Sequence, residues 1–223
     1  EYKDGVSFFG SSTGWESKVE MGKGRSMGIE FMAQKTLGKT TGWLSYTLSK
    51  SDRKFAKGAI NNGERFPYKY DRRHNINLTL NHKFSERIDI GASWVFYTGG
   101  TSTIPEEKTT IIRPGNGANN GFILGFDNYY NPIYNNSPNV GEANYIEHRN
   151  NYRLPASHRL NIGINFNKKT KHGMRIWNIS LYNAYNSMNP AWVFRSHNDD
   201  GKSVIKKYTL LPCIPSFTYT YKF

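Results

Sequence analysis

Any catalytic or metal-binding chemistry in this chain would have to come from its six histidines, its one cysteine, its carboxylates or a glycine-rich phosphate loop. His74, His82, His148, His158, His172 and His197 are scattered, and they show no paired metal-ligand spacing. Cys213 has no second cysteine with which to form a disulfide. Asn198-Asp199-Asp200-Gly201 offers oxygen ligands for calcium but lacks the ligand run and distal glutamate of a calcium loop, so it reads as a hairpin turn. Gly22-Lys23-Gly24-Arg25-Ser26-Met27-Gly28 has the glycines of a phosphate loop, yet the residues after it have the period of two of a strand, not that of a helix. No nucleophile motif gathers serine, histidine and aspartate. The expectation is a protein that is not an enzyme and uses no metal or cofactor.

What remains is cationic. Lys and Arg number 30 against 17 acidic residues, a formal charge of +13 that suits nucleic acid, an anionic membrane surface or an acidic ligand. Two clusters stand where a loop enters a strand: Tyr70-Asp71-Arg72-Arg73-His74 and Pro155-Ala156-Ser157-His158-Arg159. Arg72, Arg73 and Arg159 are the candidates for contact with an anionic ligand. The favoured alternative has Asp71 pairing with neighbouring arginines to fix the loop entry.

The elements that carry these residues alternate apolar and polar positions, the period of a strand with one face buried in something apolar. Strands are expected over about 27–37, 41–51, 73–84, 87–98, 158–166, 174–185 and 216–223. In the fourth, Ile88, Ile90, Ala92, Trp94 and Phe96 oppose Asp89, Gly91, Ser93, Val95 and Tyr97. The sixth is less clean, because Asn183 falls on the apolar track of Trp177, Ile179 and Leu181. The last sets Phe217, Tyr219, Tyr221 and Phe223 against Ser216, Thr218, Thr220 and Lys222.

Hydrophobic residues are only 37% of the chain while aromatics reach 15%, a combination that fits neither a large water-soluble core nor disorder. No run of about 18 apolar residues exists, which excludes a transmembrane helix. A transmembrane antiparallel β-barrel reconciles these facts: one face of each strand meets lipid, the other a polar lumen, and long loops add polar mass. The strands have roughly the 9 to 11 residues needed to cross the hydrocarbon layer at a tilt. Connections alternate short and long, with long ones over 52–71, 99–152 and 186–212. The charged or histidine exceptions on the apolar tracks, Lys35, Lys50, His74, His82 and His158, all sit near strand ends, where long side chains reach the headgroups. The aromatic face extends over seven strands, far beyond the stacking platform of a single-strand nucleic-acid binder, so nucleic acid is not expected as a partner.

Residues 1–26 read as an extracellular loop and 27–223 as strands and loops of the barrel. Seven strands ending in the periplasm would put the first residues outside, whereas bacterial barrels normally have an even strand number and both ends in the periplasm. The expectation is therefore a C-terminal part of a larger barrel, with further strands before Glu1.

Several stretches carry a family resemblance: Gly42-Trp43-Leu44-Ser45-Tyr46-Thr47-Leu48-Ser49-Lys50-Ser51, Phe66-Pro67-Tyr68-Lys69-Tyr70-Asp71-Arg72-Arg73-His74-Asn75, Tyr152-Arg153-Leu154-Pro155-Ala156-Ser157-His158-Arg159-Leu160, Tyr182-Asn183-Ala184-Tyr185-Asn186-Ser187-Met188-Asn189-Pro190, and Pro212-Cys213-Ile214-Pro215-Ser216-Phe217 with the terminal Phe223. Together they resemble the C-terminal barrel region of TonB-dependent outer-membrane receptors of the Bacteroidetes type. The resemblance implies a 22-stranded barrel in the cell outer membrane, an N-terminal plug lying before Glu1, and active uptake of a scarce nutrient powered through TonB. Implied partners are the lipid bilayer, lipopolysaccharide, the TonB system through the N-terminal part, and the barrel-assembly machinery. A surface lipoprotein partner belongs to one branch of the family, which these terminal motifs do not closely resemble. The final strand resembles the assembly signal but carries Thr218 where glycine is usual. Basic loop residues Arg53, Lys54, Lys57, Arg65 and Lys69 could meet lipopolysaccharide phosphates or only solvent. The alternative function is a passive pore or a structural or adhesive barrel without energy coupling.

Overall fold

A computed structural model describes residues 19–113, 123–126, 132–134 and 139–223. The expected loop over 1–26 and the Gly115–Gly121 tract lie largely outside these residues. The described chain is all-β and antiparallel, apart from one 3-10 turn at Ile60–Gly63.

Seven long strands form one sheet in strict chain order: β1 (Lys23–Lys35), β2 (Thr40–Lys54), β3 (His74–Lys83), β4 (Ile88–Tyr97), β5 (Ser157–Thr170), β6 (Gly173–Tyr182) and β7 (Ile214–Lys222). Every strand lies beside its sequence neighbour, so the sheet is an up-and-down meander. The first strand begins four residues before the expected start. Small or flexible residues at Gly24, Ser26 and Gly28 allow it to follow β2 out to the pair Lys23↔Lys54. The fifth also runs longer than expected, reaching Thr170, where Thr170 and Gly173 form the last pair of a tight hairpin.

Register joins the apolar tracks of separate strands into a continuous face. Ala33 faces Leu44, Leu44 faces Leu78, Leu78 faces Trp94 and Trp94 faces Leu160. Further along, Ile164 faces Ile179 and Ile179 faces Phe217. Side chains alternate across a strand, so a one-residue slip would turn each of these rows to the opposite side. Among the described residues nothing covers the apolar face: Ile29 is 73% exposed, Phe31 58% and Phe217 62%. Burying one such side chain is worth about 1.5 to 3 kcal/mol, so the face is a large unspent source of stability in water.

The buried apolar residues are elsewhere. Phe55, Ile60, Phe66 and Ile104 all lie in the connections, and Phe55 stacks on Phe66 with ring centroids 6.0 Å apart. Connections at one end of the sheet are tight (36–39, 84–87, 171–172) and at the other end long (55–73, 98–156, 183–213). The third long connection carries the hairpin expected around Asn198–Gly201: Pro190–His197 pairs with Ser203–Thr209, and Asn198 N–H donates to the Lys202 carbonyl at 3.0 Å. A separate unit, Pro105–Glu147, contains Glu107–Arg113 paired with Asn139–Tyr145, and Ile123–Phe126 paired with Pro132–Tyr134.

Candidate functional site

The face opposite the apolar one is lined with amides and hydroxyls that hydrogen-bond across strands. Asn77 Nδ2 donates to Ser45 Oγ at 3.4 Å, Asn161 Nδ2 to Ser93 Oγ at 3.1 Å, and Asn178 Nδ2 to Asn165 Oδ1 at 2.7 Å. Asp89 accepts from Asn165 and from Asn167, at 2.7 and 2.6 Å. Ser180 and Ser216 hydroxyls lie 2.7 Å apart. An amide has two donors and two acceptor lone pairs, so these residues satisfy one another and still offer groups to whatever enters.

The long-connection end of this face is built around Asp71, which is 1% exposed. Its carboxylate accepts from Ser51 N–H at 2.6 Å, from Arg73 Nε at 3.0 Å and from Arg153 at 2.6 Å. Burial alone would push the carboxyl pKa up. The Ser51 and Arg153 hydrogen bonds and the nearby Arg73 charge outweigh that and hold it below the ordinary aspartate value. Arg153 also donates to the carbonyls of Asp71 and Gly99, at 2.8 and 2.9 Å. Arg153 therefore ties the 55–73 and 98–156 connections together, and Asp71 ties both to β2 through Ser51.

Asparagines extend the seam by standing in for peptide groups. Asn61 exchanges two hydrogen bonds with the Arg149 backbone, at 3.2 and 2.8 Å, and Asn151 does the same with Ile104, at 2.9 Å each. Asn150 Nδ2 donates to the Pro67 carbonyl at 2.8 Å. Asn61, Asn62, Asn150, Asn183 and Asn186 also hold positive φ, a conformation that asparagine tolerates better than most residues.

The three candidate arginines have different fates. Arg73 is committed to Asp71, in line with the rim-fixing alternative. Arg72 lies over the Tyr97 ring, 4.1 Å from its centroid. Arg159 lies over Tyr182 at 4.4 Å and donates to its hydroxyl. Phe217, Tyr219, Tyr221 and Phe223 all fall on the exposed apolar face, and Trp177 packs against Phe217 and Tyr219, at 5.3 and 4.5 Å between ring centroids.

Sequence reading missed Arg153 and the tyrosine partners. Tyr97 and Tyr182 did leave a signal: each is an aromatic on the polar track and the last residue of its strand. Arg153 left none, since its partner Asp71 is 82 residues away. Asp52, paired with Arg65, was likewise hidden, because it was read as the start of the long polar loop over 52–71, whereas it lies in β2. No family model matches the chain, and no curated protein or solved structure matches it.

Proposed function

We propose that the seven strands are part of the wall of an outer-membrane β-barrel, with the apolar face toward lipid and the polar face toward the interior. The observation that carries this reading is the pairing of an apolar face left uncovered across seven strands with an opposite face of amides and hydroxyls that hydrogen-bond across strands. In water the first would drive aggregation, and in hydrocarbon it is the low-energy surface. His74 at the start of β3 and His158 near the start of β5, held by the hydroxyls of Tyr46 and Tyr185 at 2.9 and 2.8 Å, suit an interfacial girdle. The alternation of tight turns and long connections supports the same placement, with the tight turns periplasmic.

Within that class, the sequence resemblance favours a receptor for TonB-dependent uptake of a scarce nutrient, in which the long connections help to capture substrate. The second reading is a passive pore.

Cysteine scanning in bacteria tests the wall. With Cys213→Ser as background, single cysteines at Leu78, Leu80, Trp94 and Ile162 are expected to react with a lipid-dissolved maleimide. Cysteines at Asn77, Asn81, Ser93 and Asn161 are expected to react with a water-soluble one. Labelling without this alternation, or a protein recovered wholly in the aqueous fraction, sinks the proposal.

A further inference from the structure

The uncovered face changes character, row by row, toward the tight-turn end of β5, β6 and β7. Ile164 pairs with Ile179 and Ile179 with Phe217, an apolar row across the three strands. Two residues further along each strand, Phe166 pairs with Trp177 and Trp177 with Tyr219. Two residues beyond that, Lys168 pairs with Arg175 and Arg175 with Tyr221. Direct pairing puts the members of each row at one level, and steps of two keep all three rows on one face. Successive rows stand about 6 to 7 Å apart along the strands, and each row spans about 10 Å across them.

The cationic row is the one that folding alone does not explain. Lys168 and Arg175 are both exposed, and like charges directly opposite each other across an antiparallel pair are destabilising. Among the described residues neither has an acidic partner. The acids at this end of the neighbouring β3–β4 hairpin are engaged elsewhere: Glu86 by Lys83 at 2.8 Å, and Asp89, on the polar face, by Asn165 and Asn167. An anion shared by the two side chains turns their repulsion into attraction.

Taking this face as the lipid-facing wall, we propose that Lys168 and Arg175, with the Tyr221 hydroxyl in the same row, hold the headgroup phosphate of an anionic phospholipid. The site rests on the membrane reading above and adds to it one place and one class of lipid. The order of the rows selects the occupant. A free phosphate needs only the cations, whereas a phospholipid needs an aromatic level beside them for its glycerol region and an aliphatic level beyond for its acyl chains. Trp177 and Tyr219, 4.5 Å apart between ring centroids and both exposed, supply the first. Ile179 and Phe217, also exposed, supply the second. Arg175 brings a planar fork that matches two oxygens of one phosphate, and Lys168 adds a point charge. A lipid with net negative charge is favoured over a zwitterionic one, which would bring an ammonium group close to two cations.

The test is photo-crosslinking of the complete protein in neutral detergent micelles that carry phosphatidylglycerol with a diazirine near the top of one acyl chain. Cross-links are expected on β6 and β7, around Trp177 and Tyr219. Unlabelled phosphatidylglycerol should compete for them, phosphatidylethanolamine much less, and inorganic phosphate not at all. Each cation near a membrane surface is worth about fivefold in attraction for anionic lipid, so Lys168→Gln with Arg175→Gln is expected to lower the yield there at least about tenfold. Labelling of β2 and β3 should stay as in wild type. Arg175→Lys is expected to fall between, since it keeps the charge but loses the fork. Should the double variant not fold, Arg175→Gln alone is expected to lose about fivefold. Unchanged yield in the glutamine variants, equal competition by the zwitterionic lipid, or competition by inorganic phosphate as effective as by lipid overturns the site. Cysteine labelling of the same preparations separates the two proposals: protein with the alternating pattern of a wall but no preference for anionic lipid sinks only the site.

Discussion

Asp71 shows how one residue can hold the long-connection end of a sheet. It is the one acid on which Ser51, Arg73 and Arg153 converge, and its depressed pKa fixes the sign of its pH dependence. Because the folded value lies below the unfolded one, near 3.8, its contribution is fully present above that pH. It fades as pH falls through the folded value. Protection of the Ser51 amide, measured against its intrinsic exchange rate, is therefore expected to be high at pH 5 and to fall as the pH drops through the folded value, below 3.8, in wild type. In Asp71→Asn protection should be low throughout, with a local loss of about 2 kcal/mol, since two partly exposed guanidinium groups lose their common acceptor. A variant as protected as wild type at pH 5 would contradict this. The sequence showed Asp71 beside Arg72 and Arg73, and a rim pairing could be read from that. Arg153 could not, because periodicity reports on neighbours two or four residues apart and is silent about a partner far along the chain.

Strands were the legible elements because their pattern is local. All seven sheet strands lie close to their expected positions, with the largest differences, four residues each, at the start of β1 and at the far end of β5, where Lys168 and Lys169 looked like a basic loop. Asn183, which looked like a flaw in the apolar track of the sixth strand, lies just beyond it. It turns the chain at φ 53, is 1% exposed, and donates to the carbonyls of Ser187 and Leu211 at 3.0 and 3.1 Å. The small apolar cluster of Phe55, Ile60 and Phe66 was illegible because its residues follow no period. At the β5–β6 hairpin, Gly173 is where the backbone leaves no room: an added Cβ would lie 2.0 Å from the Lys222 carbonyl oxygen of β7. At Gly163, by contrast, the nearest atom would be the Ser180 Cβ at 3.3 Å. Gly173→Ala is accordingly expected to cost about 1 to 3 kcal/mol and to loosen β7. Gly163→Ala should cost clearly less. Denaturant midpoints in detergent compare the two, and equal losses would argue against the crowded β6–β7 contact.

At the scale of the molecule, both faces and the order of strands were visible as pattern, whereas a ligand was not, because fold does not fix function. The proposed receptor and a passive pore share the wall and differ in their source of energy. If uptake is energised, deleting TonB in the host should abolish accumulation of the nutrient against its gradient while leaving the protein inserted at normal levels. Uptake that survives the deletion and merely equilibrates would favour the pore.

The meander has a further consequence, for the order in which the sheet comes together. β1–β2, β3–β4 and β5–β6 are joined by tight turns, whereas β4 must find β5 across the connection 98–156. Closing a flexible loop of that length costs about 2 kcal/mol more than closing a four-residue turn. Three hairpins would then form early, each with half its hydrogen-bonding edge still open, and pairing between hairpins would set the pace. The Asp71–Arg153 link crosses that slow junction, so the same ion pair that holds the two connections together would act as a latch, engaging only after β4 and β5 have met.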